Sequence, residues 1–189
     1  MCNVICDCGN EFKARIEAIR SGNTSSCGCS GVTNHKAFDD KDSSFMYWAG
    51  FIAADGCIVS KDKRIEIGLH PKDADHLRVF SFIVHDSDRV RVNENYCCVS
   101  VHSERIRTLF AGVNITPRKS LTFDPHDSCV DSTDFWRGMV DGDGSLSWKI
   151  LRKEKKLYLC GSLQTCIKFI EFAKRNNING YLKNDGNIS

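Results

Sequence analysis

Nothing in this 189-residue chain approaches the ~20 consecutive apolar residues that would span a bilayer. Its N-terminus, Met1-Cys2-Asn3-Val4-Ile5-Cys6, lacks the basic-then-apolar pattern of a secretory signal, so export is not expected. Net charge is scarce too: 26 Lys and Arg against 24 Asp and Glu leave only +2. That excludes a uniformly basic coat, and any surface for nucleic acid must be local. What the chain does have is 41% apolar residues, enough for one medium domain and a small module. It also has eleven cysteines. A reducing cytoplasm, the expected location, disfavours disulfides, so metal binding accounts better for some of these thiols. Cys57, Cys97, Cys98, Cys129, Cys160 and Cys166 lie in or beside apolar stretches and are expected to be buried small hydrophobes.

Residues 1–30 read as a zinc-binding module. Cys6-Asp7-Cys8-Gly9 and Ser26-Cys27-Gly28-Cys29 form two Cys-x-Cys knuckles eighteen residues apart. Four thiolates in two close pairs suit a tetrahedral structural Zn2+, although one intervening residue is fewer than the usual two to four. Unliganded, reduced cysteines are the competing reading, and Cys2 is a spare thiol. Thirty residues bury too little to fold unaided, so a metal staple is physically sensible. Phe12, Ile16 and Ile19 fall on one face if the intervening stretch is helical, with Ser21-Gly22-Asn23 ending it. The module is similar to the small cysteine knuckles attached to phage endonucleases, which implies a part in gripping DNA. Residues 31–44 turn polar and read as a linker, with Ser43 or Ser44 capping a helix.

An internal repeat carries the functional reading. Phe45-Met-Tyr-Trp48-Ala-Gly50-Phe-Ile-Ala-Ala-Asp55-Gly56 is echoed by Phe135-Trp136-Arg-Gly138-Met-Val-Asp141-Gly-Asp143-Gly144. Trp48 and Trp136, Gly50 and Gly138, and Asp55 and Asp143 are each 88 residues apart, a spacing suited to a duplicated half-domain. Read as helices, the segments carry small residues four apart, which lets two backbones approach closely. Gly56 and Gly144 are expected as the C′ residues. Asp55 and Asp143 then lie side by side at two negative helix ends. Like charges at that range need compensation, and a hard divalent cation supplies it. An EF-hand starting at Asp141 is excluded, because Leu146 and Arg152 stand where Gly and Glu are required.

The two segments resemble the motif of the LAGLIDADG homing endonucleases. That resemblance implies an α+β fold of duplicated α-β-β-α-β-β-α halves whose saddle-shaped antiparallel sheets sit on double-stranded DNA. It implies Mg2+ or a similar divalent cation held by Asp55 and Asp143, in a monomer with internal pseudo-two-fold symmetry, within a bacterial or phage-infected host. The family's earlier acid is kept as Asp141 but replaced by Ala53 in the first copy. Thr116-Pro117-Arg118-Lys119-Ser120 resembles the family's Pro-x-Lys-Ser segment, which places Lys119 near the reaction. A non-catalytic binder on the same fold, maturase-like on RNA or a DNA-binding regulator, is the alternative.

The halves are expected at 45–128 and 129–189. In the first, strand pairs are read around Lys61-Asp-Lys63 and around Asn93-Glu-Asn95, with helices at Pro71–His85 and Glu104–Gly112. Strands alternate faces, so Lys61, Lys63, Arg64, Arg89, Arg91 and Asn93 are candidates for the DNA groove. In the second half a hairpin carries the basic run Lys149, Arg152, Lys153, Lys155 and Lys156, suited to phosphates. A helix at Gln164–Asn176 follows, and Asn179-Gly180-Tyr-Leu-Lys starts a further strand. Only 45 residues follow Gly144, against 78 between Gly56 and Phe135. The second half is therefore expected to be truncated or degenerate, with an open sheet edge and weak or no nuclease activity.

Overall fold

A computed structural model describes residues 1–7, 9–27, 33–59, 64–149 and 154–183. The fold is α+β, with three antiparallel sheets among the described residues. None of the described helices is long and apolar enough to cross a membrane.

At the N-terminus, β1 (Cys2–Ile5) pairs antiparallel with β2 (Glu11–Ala14). The stretch through Phe12, Ile16 and Ile19, expected as one helix, is instead a strand followed by a short helix. Phe12 lies in β2 opposite Val4, and the helix α1 is confined to Ile16–Arg20. Phe12 belongs to an alternating strand, whose period of two overrides a helical spacing that three residues can mimic by chance. Gly9 closes the turn at φ +87°, its N–H donating to the Cys6 carbonyl at 2.8 Å.

The stretch read as a linker is not a free connection. Phe38 is 1% exposed and packs its ring against Phe45, Phe80 and Phe110. The segment is anchored by this buried aromatic together with the buried His35, 2.9 Å from the Ser103 hydroxyl, and the Asn34 N–H, which donates to the Val84 carbonyl at 2.7 Å. Helix α2 (Ser43–Asp55) is capped by Asp42, whose carboxylate accepts the Phe45 N–H at 3.0 Å. This corrects the expected serine cap by one residue.

After α2 come β3 (Gly56–Val59), β4 (Arg64–Leu69), a 3-10 turn, α3 (Ala74–His85), β5 (Arg91–Val92), β6 (Cys97–His102) and α4 (Glu104–Ala111). The strands form one sheet in the order β3-β4-β6-β5. Its inner face, Ile58, Ile65, Ile67, Val99 and Val101, is buried with Leu77, Phe80 and Val84 of α3 and Ile106 and Phe110 of α4. Arg89 lies before β5, its backbone N–H bonded to the Ser81 hydroxyl.

A 3-10 turn at Lys119–Leu121 and the short α5 (Asp127–Val130) lead to α6 (Thr133–Asp143), β7 (Gly144–Lys149), β8 (Glu154–Leu159) and α7 (Leu163–Arg175). The order helix, strand, strand, helix thus occurs twice, and the register repeats as well. Gly56 faces Ile67 and Ile58 faces Ile65; Gly144 faces Leu159 and Leu146 faces Leu157. Trp48 rests on His76 and Phe80 of α3, while Trp136 rests on Phe169 and Phe172 of α7. The strand expected from Asn179 does not form: residues 178–183 carry no regular structure.

Candidate functional site

The site is built by α2 and α6, which run side by side in the same direction. A Cβ at Gly50 would lie 2.0 Å from the Phe135 carbonyl oxygen and 2.9 Å from the Met139 nitrogen. A Cβ at Gly138 would lie 2.0 Å from the Tyr47 carbonyl oxygen and 2.7 Å from the Phe51 nitrogen. Phe135 and Met139 are the repeat counterparts of Tyr47 and Phe51, so one contact is made twice with the roles exchanged. Backbone-to-backbone approach this close has room for glycine alone.

The helices therefore end at the same level. A Cβ at Gly142 would meet Ala54 Cβ at 2.5 Å and the Asp55 Oδ2 at 3.3 Å. The Asp55 carboxylate thus reaches the residue next to Asp143. Gly56 and Gly144 do follow the helices, but not as left-handed C′ residues. Their φ values are −82° and −93°, in extended backbone. Sterics explain them instead: a Cβ would fall 2.7 Å from the Ile52 side chain or 2.3 Å from the Val140 carbonyl oxygen. Both helices turn directly into strands there, and a side chain would block the turn.

Lys119 is brought in by the segment between the halves. It is 6% exposed, and its Nζ donates to the Gly56 carbonyl at 2.8 Å. This cation caps the negative end of α2. Burial pulls the Lys119 pKa down, while Cys57, Asp143 and Asp55 oppose the fall. Burial pushes the Asp55 pKa up; the Asp143 charge adds to this and Lys119 works against it. Asp143 is likewise raised by burial, against Lys119. Both acids still reach solvent. The structure therefore brings together the three residues singled out from the repeat and the Pro-Arg-Lys-Ser segment. Two carboxylates at neighbouring helix ends, both reaching solvent, are oxygen donors of the type that hard divalent cations take.

No family model and no curated protein matches the chain.

Two neighbours of the site escaped the sequence reading. Cys57 is exposed on the open face of β3, not buried as expected, because Gly56 and Ile58 take the inner face. Cys160 is exposed and Cys166 half-buried, whereas Cys97, Cys98 and Cys129 are buried as expected. The second neighbour is a polar cluster. The Tyr47 hydroxyl donates to Asp141 Oδ2 at 2.8 Å and lies 3.1 Å from His76 Nε2. The tyrosine, in a helical aromatic stripe, gave no signal of this, since its partners lie 29 and 94 residues away.

The candidate DNA-facing residues are treated unequally by the fold. Arg64 and Arg91 share the open face and converge on Glu66, at 3.4 and 3.7 Å. Arg89 is exposed and bonds the Ser87 hydroxyl through Nε. Asn93 spends its side-chain oxygen on the Asn95 and Tyr96 N–H groups, which makes it a turn former. Lys155 lies 5.0 Å above the exposed Trp148 ring, and Lys156 is half-buried in β8. Lys149 ends β7. Lys61, Lys63, Arg152 and Lys153 lie outside the described residues.

In the N-terminal hairpin, the Cys27 N–H donates to Cys6 Sγ at 3.5 Å. One thiol from each knuckle is thus held close. Cys8 and Cys29 lie outside the described residues, and among the described residues no group of three or more His, Cys, Asp or Glu could hold a metal. Cys2 donates its thiol to the Ala14 carbonyl across the hairpin at 3.3 Å.

Proposed function

We propose that the chain is a LAGLIDADG-type homing endonuclease that hydrolyses phosphodiesters in both strands of a long, poorly symmetric DNA site. One observation carries the reading: two aspartates at the ends of two glycine-packed parallel helices, beside a buried lysine. Asp55 and Asp143 would hold Mg2+ or a similar divalent cation. When bound, that ion supplies charge neutralisation at the phosphate and lowers the pKa of water. The raised carboxyl pKa values fit this donor set: burial penalises both charged forms, and for Asp55 the Asp143 charge adds to it. Lys119 uses one of its three N–H donors on Gly56; the others are free to orient water or a phosphate oxygen.

The duplicated halves would place two sheets over the duplex, with Arg64, Arg91 and the β7–β8 lysines toward phosphates and bases. Cys6, Cys8, Cys27 and Cys29 would bind one structural Zn2+, and the Cys6–Cys27 proximity supports this. Purified protein should then carry about one zinc per chain, and Cys27→Ser should lose it. Elemental analysis of never-chelated protein finding none would remove the zinc module.

The decisive experiment incubates the chain and Mg2+ with DNA spanning candidate insertion sites. Asp55→Asn or Asp143→Asn should each reduce cleavage at least about 100-fold while changing DNA affinity little, since each removes a charge aimed at the metal and almost no packing. Full cleavage by both variants defeats the mechanism. Tight binding with no cleavage by the unaltered chain favours the second reading, a non-catalytic DNA- or RNA-binding protein. Ala53, buried where the other helix has an acid, is the observation on that side.

A further inference from the structure

We propose that Tyr47 and Asp141 are positioning residues, a hydrogen-bonded latch that fixes the axial register of α6 on α2 and so sets the level of Asp55 against Asp143. The proposal rests on the metal-binding reading of those acids.

The latch is polar where its counterpart is apolar. The repeat pairs Tyr47 with Phe135 and Asp141 with Ala53. Phe135 and Ala53 are both buried, with Phe123 of the connecting segment 6.5 Å from the Phe135 ring. That side of the helix pair is held by packing. Asp141 on the other side is exposed, so packing does not hold it in the same way. A directional bond takes its place. The Tyr47 hydroxyl has one proton, and Asp141 receives it. The hydroxyl oxygen is then the acceptor, so His76 must present an N–H from Nε2. His76 is itself fixed by Trp48 and Phe51, with ring centroids at 4.9 and 4.6 Å. Arg137 of α6 lies 4.8 Å above the Tyr47 ring. The tyrosine is thus gripped from α3 and from α6, and it pins Asp141 two residues before Asp143. A hydroxyl–carboxylate bond tolerates little axial slip and adds to the register set by the glycine contacts.

The test uses the full chain and Mn2+ as the probe, titrated by electron paramagnetic resonance, with Asp55→Asn/Asp143→Asn as the background. Urea unfolding is measured on every variant. Tyr47→Phe keeps the ring and removes only the hydroxyl; it should weaken Mn2+ binding about 10-fold, the lower end of what losing a group that holds ligands in place costs. Asp141→Ala should match it, and the double variant should be no weaker than either single one. Asp141→Asn, which keeps an acceptor, should stay within about 3-fold of the unaltered chain. Unchanged Mn2+ affinity in Tyr47→Phe overturns the proposal even if unfolding shifts. So does loss in Asp141→Asn with none in Tyr47→Phe, since Asp141 would then act by charge. If the background variant binds Mn2+ as tightly as the unaltered chain, the acid-pair reading fails. Unfolding then decides the latch: non-additive losses in the Tyr47→Phe and Asp141→Ala pair uphold it, and additive losses end it.

Discussion

Ile65 and Leu157 occupy the same place in the two halves, yet Ile65 is 0% exposed and Leu157 47%. Ile58 and its counterpart Leu146 differ more, at 5% and 74%. The strands share a pattern and a register. The difference lies in what covers them. In the first half β6 and β5 extend the sheet and α3 and α4 close its inner face. In the second, α7 packs on Trp136, but no described strand pairs with the outer edge of β8. Trp148, Leu146 and Leu157 are left in contact with water. An alternating pattern therefore specifies a face, and burial needs a further element to supply the opposite wall.

The largest effect is expected at the helix pair α2 and α6. Gly138→Ala sets a methyl 2.0 Å from a backbone oxygen and should cost about 3 kcal/mol or more, as forced overpacking does. Gly50→Ala meets the exchanged contact and should cost the same to within about 1 kcal/mol. Urea unfolding giving a large cost at one glycine and none at the other would mean that the repeat is not structurally reciprocal. Next, Ile65→Ala should cost about 3 kcal/mol and Leu157→Ala less than about 1, because only the first opens a cavity. Equal losses would show that the second-half face is covered in solution.

The acid pair gives a smaller, pH-dependent effect. Both carboxyls titrate above their ordinary range in the folded chain. Without metal their contribution to stability is greatest below that range and is lost as pH rises through the raised values. Asp55→Asn should flatten this fall, raising the metal-free melting temperature at pH 7 but not at pH 4. A steeper fall in the variant would contradict it. Lys119, lowered by burial, acts at the other end: its protonation costs stability as pH falls through its folded value. Arg91→Ala should change least, within about 0.5 kcal/mol, because the Arg91 end of its ion pair with the half-buried Glu66 is exposed and lies at 3.7 Å; a larger shift in unfolding would make that pair structural.

Much of the acid site was legible in sequence because it is local and repeated. Each Asp-Gly ends its own helix, and small residues four apart mark the face on which two such helices meet. The strand pairs of the first half, and α3 and α4, follow from alternation and from a 3.6-residue period. Phe38 was not legible as a core residue, since its packing partners are 7, 42 and 72 residues away. Nor was the role of Gly56 and Gly144, which depends on the helix passing straight into a strand rather than on a left-handed φ.

By itself, then, the amino-acid order determined which residues of α2 and α6 share a helix face, where those two helices stop, and that two acids recur 88 residues apart. These are short-range matters of periodicity, capping and steric fit. Only the tertiary structure decided that Lys119 is buried against Gly56, that Tyr47 reaches Asp141, and that one sheet is walled while the other lies open. Each of those depends on segments meeting across tens of residues, and no local propensity encodes the distance between them.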